Sequence, residues 1–368
     1  MTAGNFTASA LSSTAMDNGQ QSIRRWLMAV MAMILLMVAV GGITRLTESG
    51  LSMVTWEPIL GAIPPRNEAE WVFRFEQYKQ FPEYQQLRRG MTLHEFKVIY
   101  FWEYLHRLLG RLLGLVYAVP LAYFWLCGRL SARLKRWLFA GLVLGGAQGF
   151  MGWYMVKSGL SENPYVSHYR LAAHLGLAFF LFVYLQWIVM KLNPASGIGE
   201  PASPAARRWA YGLSALLVVQ ILWGAFVAGL NAGFMYNTFP TMQGHWLPPS
   251  GGVLAPWWRN LVDNPVTVQW MHRVFGTLLI VATLTAWWRL RGDPTIEGIK
   301  RTALHRVAIL MVCQFWLGVF TLVLMVPVAW GAAHQVLACV LLGGMVHLLF
   351  TWGGAREGFE SEGGRRHA

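Results

Sequence analysis

Eight long apolar runs constrain what this chain can fold into. They cover about 26–44, 97–126, 137–156, 170–190, 209–230, 265–288, 303–326 and 328–352. A helix needs roughly 20 mainly apolar residues to cross about 30 Å of hydrocarbon, whereas membrane strands are shorter and alternate in polarity. Only 13% of the residues are charged, against about 25% in soluble domains. The sequence therefore predicts an all-α membrane protein with eight transmembrane helices.

The net charge of +13 is distributed in a way that indicates membrane topology rather than binding of nucleic acid. Basic residues concentrate before the first run and after the second, fourth, sixth and eighth runs. The positive-inside rule makes that side cytoplasmic and places both termini there. Residues 1–23 contain no Arg and do not resemble a cleaved signal or a transit peptide. We therefore expect a retained first helix and a location in a bacterial inner membrane.

The connections divide the chain into two units. The predicted organisation is a polar tail at 1–23, a four-helix unit at 24–191 with a long outer loop at 46–96, a Pro/Ala/Gly-rich linker at 192–206, a second four-helix unit at 207–352 and a tail at 353–368. The cysteines Cys127, Cys313 and Cys339 lie in or beside predicted helices. We therefore expect no disulfide in an outer loop.

The two units repeat the same residues in the same order. The matched features are His106-Arg107-x-x-Gly110 with His272-Arg273-x-x-Gly276, Gln148 and Gly152 with Gln314 and Gly318, and Ala-Ala-His174 with Ala-Ala-His334. Both units have the same predicted topology. The sequence therefore predicts two pseudo-symmetric four-helix bundles related by an axis along the membrane normal, with sites inside each unit or between them.

Four histidines, His106, His174, His272 and His334, stand at corresponding places in the two units. In the predicted topology all four lie in the outer half of the bilayer, within about two helical turns of one another in depth. Ionisable groups inside a bilayer are costly and are functional candidates by default. One such histidine could be a helix–helix hydrogen bond, but matched pairs are hard to explain that way. The remaining histidines need only polar or packing roles.

Paired histidines on facing helices of a four-helix unit can ligate a haem iron. An isolated zinc ion is disfavoured, because two histidines per unit without a cysteine or carboxylate cluster leave it short of ligands. Small residues would open an apolar slot for haem or allow close helix packing, and both interpretations can hold together. These residues are Gly110, Gly114, Gly145, Gly146, Gly149, Ala172, Ala173, Gly176, Ala332 and Ala333.

The units differ three residues before the first histidine, where one has Glu103 and the other Gln269. Residues i and i+3 share a helix face, so Glu103 lies one turn outward of His106. A carboxylate there can exchange protons with a bound ligand, and the alternative is an ion pair with Arg107. We hypothesise that the unit with Glu103 transforms a ligand, while the unit with Gln269 holds a permanent haem that passes electrons.

The sequence leaves two interpretations open for other residues. Arg107 and Arg273 suit the binding of haem propionates through a guanidinium fork, or pairing within the bundle. The Trp71-x-Phe-x-Phe75 stretch of the outer loop could cap a haem slot or lie on the membrane surface.

Three protein classes explain these residues. A haem enzyme accounts for all of them. A b-type cytochrome that only moves electrons explains the four histidines but gives Glu103 no role. A transporter explains the repeat and the intramembrane charges but needs no haem.

Several motifs together are typical of one family. They are Gly41-Gly-Ile-Thr-Arg45-Leu-Thr-Glu-Ser-Gly50-Leu-Ser-Met, Trp56-x-Pro58, Trp102-Glu-Tyr-x-His106-Arg107, Asn231-Ala-Gly, Tyr236-Asn-Thr-Phe-Pro240-x-Met, Gln269-x-x-His272-Arg273 and Ala333-His334-Gln335. Over roughly residues 24–352 the chain resembles the haem A synthases, in the proteobacterial and mitochondrial-type branch that lacks outer-loop cysteine pairs.

The resemblance implies a membrane oxidoreductase that oxidises a methyl group of haem O to a formyl group, giving haem A for terminal oxidases. It implies that His106 and His174 lie at the iron of the substrate haem O, with Glu103 assisting catalysis. It also implies that His272 and His334 ligate the iron of a resident haem b. Haem O synthase and oxidase assembly factors are candidate partners besides membrane lipid, and the small-residue faces permit a homo-oligomer.

Overall fold

The computed structural model describes residues 4–57, 60–161, 164–192, 199–354 and 359. In this part of the chain nine α-helices form and no β-strand is present, so the prediction of an all-α protein is confirmed. The helices are α1 Gly4–Leu46, α2 Glu68–Tyr78, α3 Leu93–Leu126, α4 Ala132–Gly159, α5 His168–Lys191, α6 Pro204–Gly229, α7 Pro265–Leu290, α8 Ile299–Val323 and α9 Val328–Trp352.

All helices except α2 correspond to predicted apolar runs. The main differences lie at the ends: α1 begins at Gly4, within the predicted polar tail, and α6 begins at Pro204, within the predicted linker. The tail sequence contains no proline, so nothing in it stops the helix from continuing. Residues 193–198 of the linker, and 355–358 and 360–368 of the C-terminal tail, lie outside the described residues.

The helix starts follow local capping chemistry. Thr92 and Glu95 form a reciprocal capping box at the start of α3. Asn264 accepts a hydrogen bond from the Val266 amide at the start of α7, and Pro265 takes the first helical position. Proline is tolerated there because its missing N–H would have no partner within the helix. These signals fix where the long helices leave their outer connections.

Six helices in the described part of the chain are long and apolar enough to cross a membrane, namely α1 from Gly19 onward, α3, α5, α6, α8 and α9. The chain is therefore a multi-pass membrane protein. Helices α4 and α7 are also long, at 28 and 26 residues, but fall below the same hydropathy. Polar residues and glycines such as Gln148 and Gly149 in α4, and Gln269 and Arg273 in α7, explain the lower value.

The long helices form two rings of four. In the first ring α1 packs on α3, α3 on α4, α4 on α5 and α5 on α1, and in the second ring α6, α7, α8 and α9 follow one another in the same order. The rings meet where α1 packs on α9, α5 on α6, and α5 on α9. Each ring has its own apolar cluster, made of residues such as Leu27, Leu138 and Leu185 in the first and Leu279, Leu304 and Leu341 in the second. Both clusters lie toward the helix ends away from the four histidines.

The outer loop folds onto the outer end of α3. Phe75 and Tyr78 of α2 are buried against Phe96 of α3, and Trp71 packs edge-on against Tyr100 with ring centroids 5.0 Å apart. The sequence did not predict α2 or this cluster. Of the predicted aromatic stretch, two members pack on α3, while Phe73 is 59% exposed.

Glu83, in the same outer segment, is buried and accepts a hydrogen bond of 3.1 Å from the Tyr78 hydroxyl. Burial raises the pKa of Glu83 to about 7 from 4.5, although Arg88, with its Nε 3.7 Å from the carboxylate, acts in the opposite direction. The side chain therefore keeps its proton in the folded segment over a pH range in which the unfolded chain loses it.

We expect the stability of this outer segment to fall as pH rises from about 4.5 to about 7 and then to level off, because the unfolded state loses the Glu83 proton first. Glu83→Gln should flatten that dependence. Hydrogen exchange of residues 68–87 at a series of pH values measures it. Glu76→Gln, at an exposed residue paired with Lys79, is the matched control and should leave the dependence unchanged. A stability that rises over the same interval would contradict the assignment.

Candidate functional site

The four predicted histidines lie on α3, α5, α7 and α9, and each imidazole packs against a glycine of the long helix that precedes it in the chain. A Cβ atom added to the glycine would lie within 3.1 Å of the ring in every case: Gly41 at His106, Gly152 at His174, Gly224 at His272 and Gly318 at His334. Any larger residue would have to displace the imidazole. The sequence singled out Gly152 and Gly318 in the repeat and named Gly41 only as part of a family motif, but it missed Gly224.

The structure brings the histidines together in two pairs. His106 and His174 are close enough to interact electrostatically in the first ring, as are His272 and His334 in the second. All four rings keep some exposed surface although they lie well inside long helices. Each ring of helices thus holds one pair of imidazoles, and these lie outside its apolar cluster.

Glutamine amides stand beside three of the four imidazoles. The amide nitrogens of Gln148 and Gln220 lie 3.4 Å from the Nε2 atoms of His174 and His272. The Gln314 amide nitrogen lies 3.2 Å from Nδ1 of His334. Each glutamine precedes its contact glycine by four residues, so Gln-x-x-x-Gly is one structural motif on α4, α6 and α8. This spacing in 220–224 is the signal that could have revealed Gln220 from sequence.

These residues fit a haem iron better than a small hydrated ion. The Nδ1 atoms of His174 and His272 are buried and have no hydrogen-bond partner among the described residues, and a buried polar atom without a partner is costly. No group of three His, Cys, Asp or Glu side chains with metal-binding spacing occurs in the described ranges. A site that offers two neutral nitrogens between apolar helices matches the two axial ligands that haem needs.

Glu103 is 3% exposed and fully engaged in hydrogen bonds. One carboxylate oxygen accepts bonds of 2.7 Å from the Ser52 hydroxyl and the Met53 amide, and the other accepts one of 2.6 Å from Arg107. The ion pair with Arg107 considered from the sequence is therefore present. Glu103 also ties the start of the outer loop to α3, a role that the sequence did not reveal.

The arginines that follow the histidines in α3 and α7 hold the outer connections by their backbone. Arg107 donates to the carbonyls of Met53 at 2.8 Å and Thr55 at 3.2 Å. Arg273 donates to the carbonyl of Tyr236 at 2.7 Å and to that of Thr238. Both arginines thus bind backbone carbonyls of an outer connection, and among the described residues Arg107, unlike Arg273, also binds a carboxylate, that of Glu103.

Gln269 occupies the place of Glu103 but binds differently. Its amide nitrogen donates a bond of 3.0 Å to the same Tyr236 carbonyl that Arg273 binds. The Gln269 side chain is uncharged, whereas the Glu103 carboxylate is charged and neutralises Arg107 in the first ring. The two rings therefore share one scaffold and differ in the charge placed one turn outward of the histidine.

The first ring has glycines where the second ring has larger residues. Gly114 of α3 and Gly145 and Gly149 of α4 are exposed, and a Cβ atom added to any of them would meet no neighbouring atom within 4 Å. The corresponding residues of the second ring, counted from His272 and Gln314, are Ile280, Met311 and Phe315, which are buried or half-buried.

The other predicted small residues divide between open and packed positions. Gly146 and Gly176 also face open space, whereas Ala172 and Ala332 are buried in helix contacts. Gly110 lies beside the Met37 methyl group, 3.7 Å from an added Cβ. Both interpretations of the small residues, slot and packing, are therefore represented.

Two of the remaining histidines have side-chain partners, whereas Nε2 of His347 is buried without a hydrogen-bond partner among the described residues. His168 lies 3.3 Å from the Asp263 carboxylate, and His305 accepts a bond of 2.8 Å from the Trp287 indole. His367 lies outside the described residues. None of the three cysteines forms a disulfide.

The amino-acid sequence of this chain is similar to those of known proteins. A family model described as cytochrome oxidase assembly protein, COX15-CtaA, matches residues 24–346. A protein of Rhodospirillum centenum named heme A synthase is 46% identical over 336 residues, covering 89% of this chain and 88% of the relative. Proteins of the same name from Nitrosospira multiformis and Brucella ovis are 44% and 45% identical, and cover 88% and 89% of this chain and 91% and 90% of the relatives.

Arg273→Lys should loosen the outer connection over α7, because an ammonium cannot reproduce the fork that binds two carbonyls at once. The Gln269 amide still binds the Tyr236 carbonyl, but the Thr238 carbonyl loses its donor. Such a loss costs about 1–3 kcal/mol, so we expect the amides of residues 236–239 and 241 to exchange at least about fivefold faster. Hydrogen-exchange mass spectrometry measures this. Arg259→Lys changes the same residue type in the same connection, where only an exposed pair with Asp263 is altered. Equal protection of these amides from exchange in both variants would show that Arg273 does not hold the outer connection.

Proposed function

We infer, since the chain belongs to the COX15-CtaA family of cytochrome oxidase assembly proteins, that it is a haem A synthase. It is a membrane oxidoreductase that converts a methyl group of haem O into the formyl group of haem A for terminal oxidases. Besides sequence identity, one structural observation supports the assignment: each ring of helices contains a pair of imidazoles, and every imidazole packs against a glycine. Haem O synthase and oxidase assembly factors would act before and after it.

We propose that all eight long helices cross a bacterial inner membrane with both termini in the cytoplasm. The order of packing supports this, because α4 and α7 each lie between two helices that are apolar enough to span. In the repeat α1 corresponds to α6 and α5 corresponds to α9. The contact of α1 with α9 is therefore equivalent to that of α6 with α5, and the contact of α5 with α9 is equivalent to itself. This pattern is what a pseudo-two-fold axis along the membrane normal would produce.

We propose a division of labour between the rings. His106 and His174 would receive the iron of haem O, and His272 and His334 would hold a resident haem b. Haem O carries a long isoprenoid substituent that haem b lacks, so the substrate site needs more apolar room. The small residues Gly114, Gly145 and Gly149 support this assignment, since the corresponding positions of the second ring hold the larger Ile280, Met311 and Phe315.

Haem b, when bound, would supply one-electron transfer, and the chain's own residues would provide position and protons. Glu103 places a carboxylate one turn outward of His106, where it can hold or release a proton near the substrate. Arg107 neutralises that carboxylate and fixes the loop 52–55 above it. We propose that Arg107 and Arg273 support haem binding mainly through these loops, because both guanidinium groups already bind backbone carbonyls.

Pigment analysis tests the proposed reaction. We expect a host that makes haem O but no haem A to accumulate haem A when it expresses this chain, and the purified protein to retain haem b. Extracted haems are separated by chromatography and identified by mass. Haem b without haem A would leave a b-type cytochrome as the better assignment, and a colourless protein would favour a transporter.

Glu103→Gln should lower haem A formation by at least about 100-fold, the lower range for loss of a general acid–base group. Haem b content should stay unchanged, because Glu103 lies in the other ring. Because Gln cannot neutralise Arg107, hydrogen exchange of residues 52–55 must be measured in parallel. Glu95→Gln, which changes only an exposed cap on the same helix, is the control. Full turnover in Glu103→Gln would rule out a catalytic role.

A further inference from the structure

One of the four histidines lacks the glutamine that the other three possess. The amides of Gln148, Gln220 and Gln314 lie 3.2–3.4 Å from a ring nitrogen of His174, His272 and His334. Among the described residues no side chain makes a hydrogen bond to the His106 ring. On α1 the residue four before the contact glycine Gly41 is Met37, so the Gln-x-x-x-Gly motif becomes Met-x-x-x-Gly.

Met37 occupies the same place in the first ring as Gln220 in the second. The Met37 methyl carbon lies 3.7 Å from a Cβ added to Gly110, and the Gln220 amide nitrogen lies 3.0 Å from one added to Gly276. These glycines are four residues after His106 and His272 in the repeated His-Arg-x-x-Gly motif. The two side chains therefore meet the same surface of equivalent helices.

Replacing the amide by a thioether changes how the imidazole is held. An amide offers a donor and an acceptor, and can restrain a ring nitrogen in either tautomer, whereas a thioether is only a weak acceptor. A partner that accepts the N–H of the ring nitrogen not bound to metal orients a metal-bound imidazole, and its loss typically lowers metal affinity about 10–100-fold. With its amide turned so that the oxygen meets Nε2 of His272, Gln220 would be such an acceptor and would leave the unpartnered Nδ1 for the metal. His106 is therefore restrained by packing on Gly41, and His272 by packing on Gly224 together with the Gln220 amide.

We propose that Met37 is a positioning residue that makes the haem of the first ring exchangeable. Without an amide beside it, His106 binds iron more weakly than its counterpart His272, so the first ring releases its haem after reaction. Gln220 has the opposite effect and retains the haem of the second ring. The inference rests on the proposed division between substrate and resident haem, and it assigns that division to one pair of side chains.

The pair allows a reciprocal test, because Met and Gln have similar length and the exchange mainly changes hydrogen bonding. The full chain is purified with its haems, mixed with an excess of a haem-free acceptor globin, and the release of haem is followed by absorbance. Wild-type protein should show a fast and a slow phase. His272→Ala, which removes the slow phase, assigns that phase to the second ring.

We expect Met37→Gln to slow the fast phase by about 10–100-fold, and Gln220→Met to accelerate the slow phase by a similar factor. Met28→Gln, at an exposed position of the same helix, should change neither. A fast phase unchanged in Met37→Gln would overturn the inference. If that variant fails to fold, Gln220→Met decides, and an unchanged slow phase would overturn it.

The outcomes for this inference and for the proposed function are distinguishable. If wild-type protein forms haem A but the variants release haem like wild type, only the role of Met37 fails. If wild-type protein neither binds haem nor forms haem A, the proposed function itself fails.

Discussion

The close approach of a glycine to an imidazole on the neighbouring helix is the contact on which both rings depend. It occurs between α1 and α3, α4 and α5, α6 and α7, and α8 and α9, with 2.7–3.1 Å between an added Cβ and the ring. Such spacing sets how near the helices stand and which way each ring nitrogen faces. The apolar clusters lie at the opposite ends of the helices, so none of the four imidazoles belongs to either cluster.

Charged side chains organise the outer face around the same histidines. In both rings an arginine directly after the histidine binds two carbonyls of the preceding outer connection. An arginine inside an apolar bundle is costly unless its donors are satisfied, and backbone carbonyls satisfy them without a fixed counter-ion. These connections are thus held by groups on the same helices that carry His106 and His272.

The proposed function rests on the positions at which the two rings carry different residues. Glu103 in the first ring corresponds to Gln269 in the second, and Met37 corresponds to Gln220. The glycines Gly114, Gly145 and Gly149 of α3 and α4 correspond to Ile280, Met311 and Phe315. Under the proposed division of labour, these differences would suit a transient substrate in the first ring and a resident cofactor in the second.

The sequence by itself determined the helices, the repeat and the four histidines, because apolar length and exact residue spacing are visible in one dimension. It also showed Glu103 against Gln269. Only the tertiary structure decided that Glu103 binds the Ser52 hydroxyl and the Met53 amide, and that Arg107 binds the carbonyls of Met53 and Thr55. These partners lie about 50 residues away in sequence, and backbone groups leave no mark on residue type. For the same reason Gly41, Gly224 and Met37 gained meaning only when α1 and α6 were placed against α3 and α7.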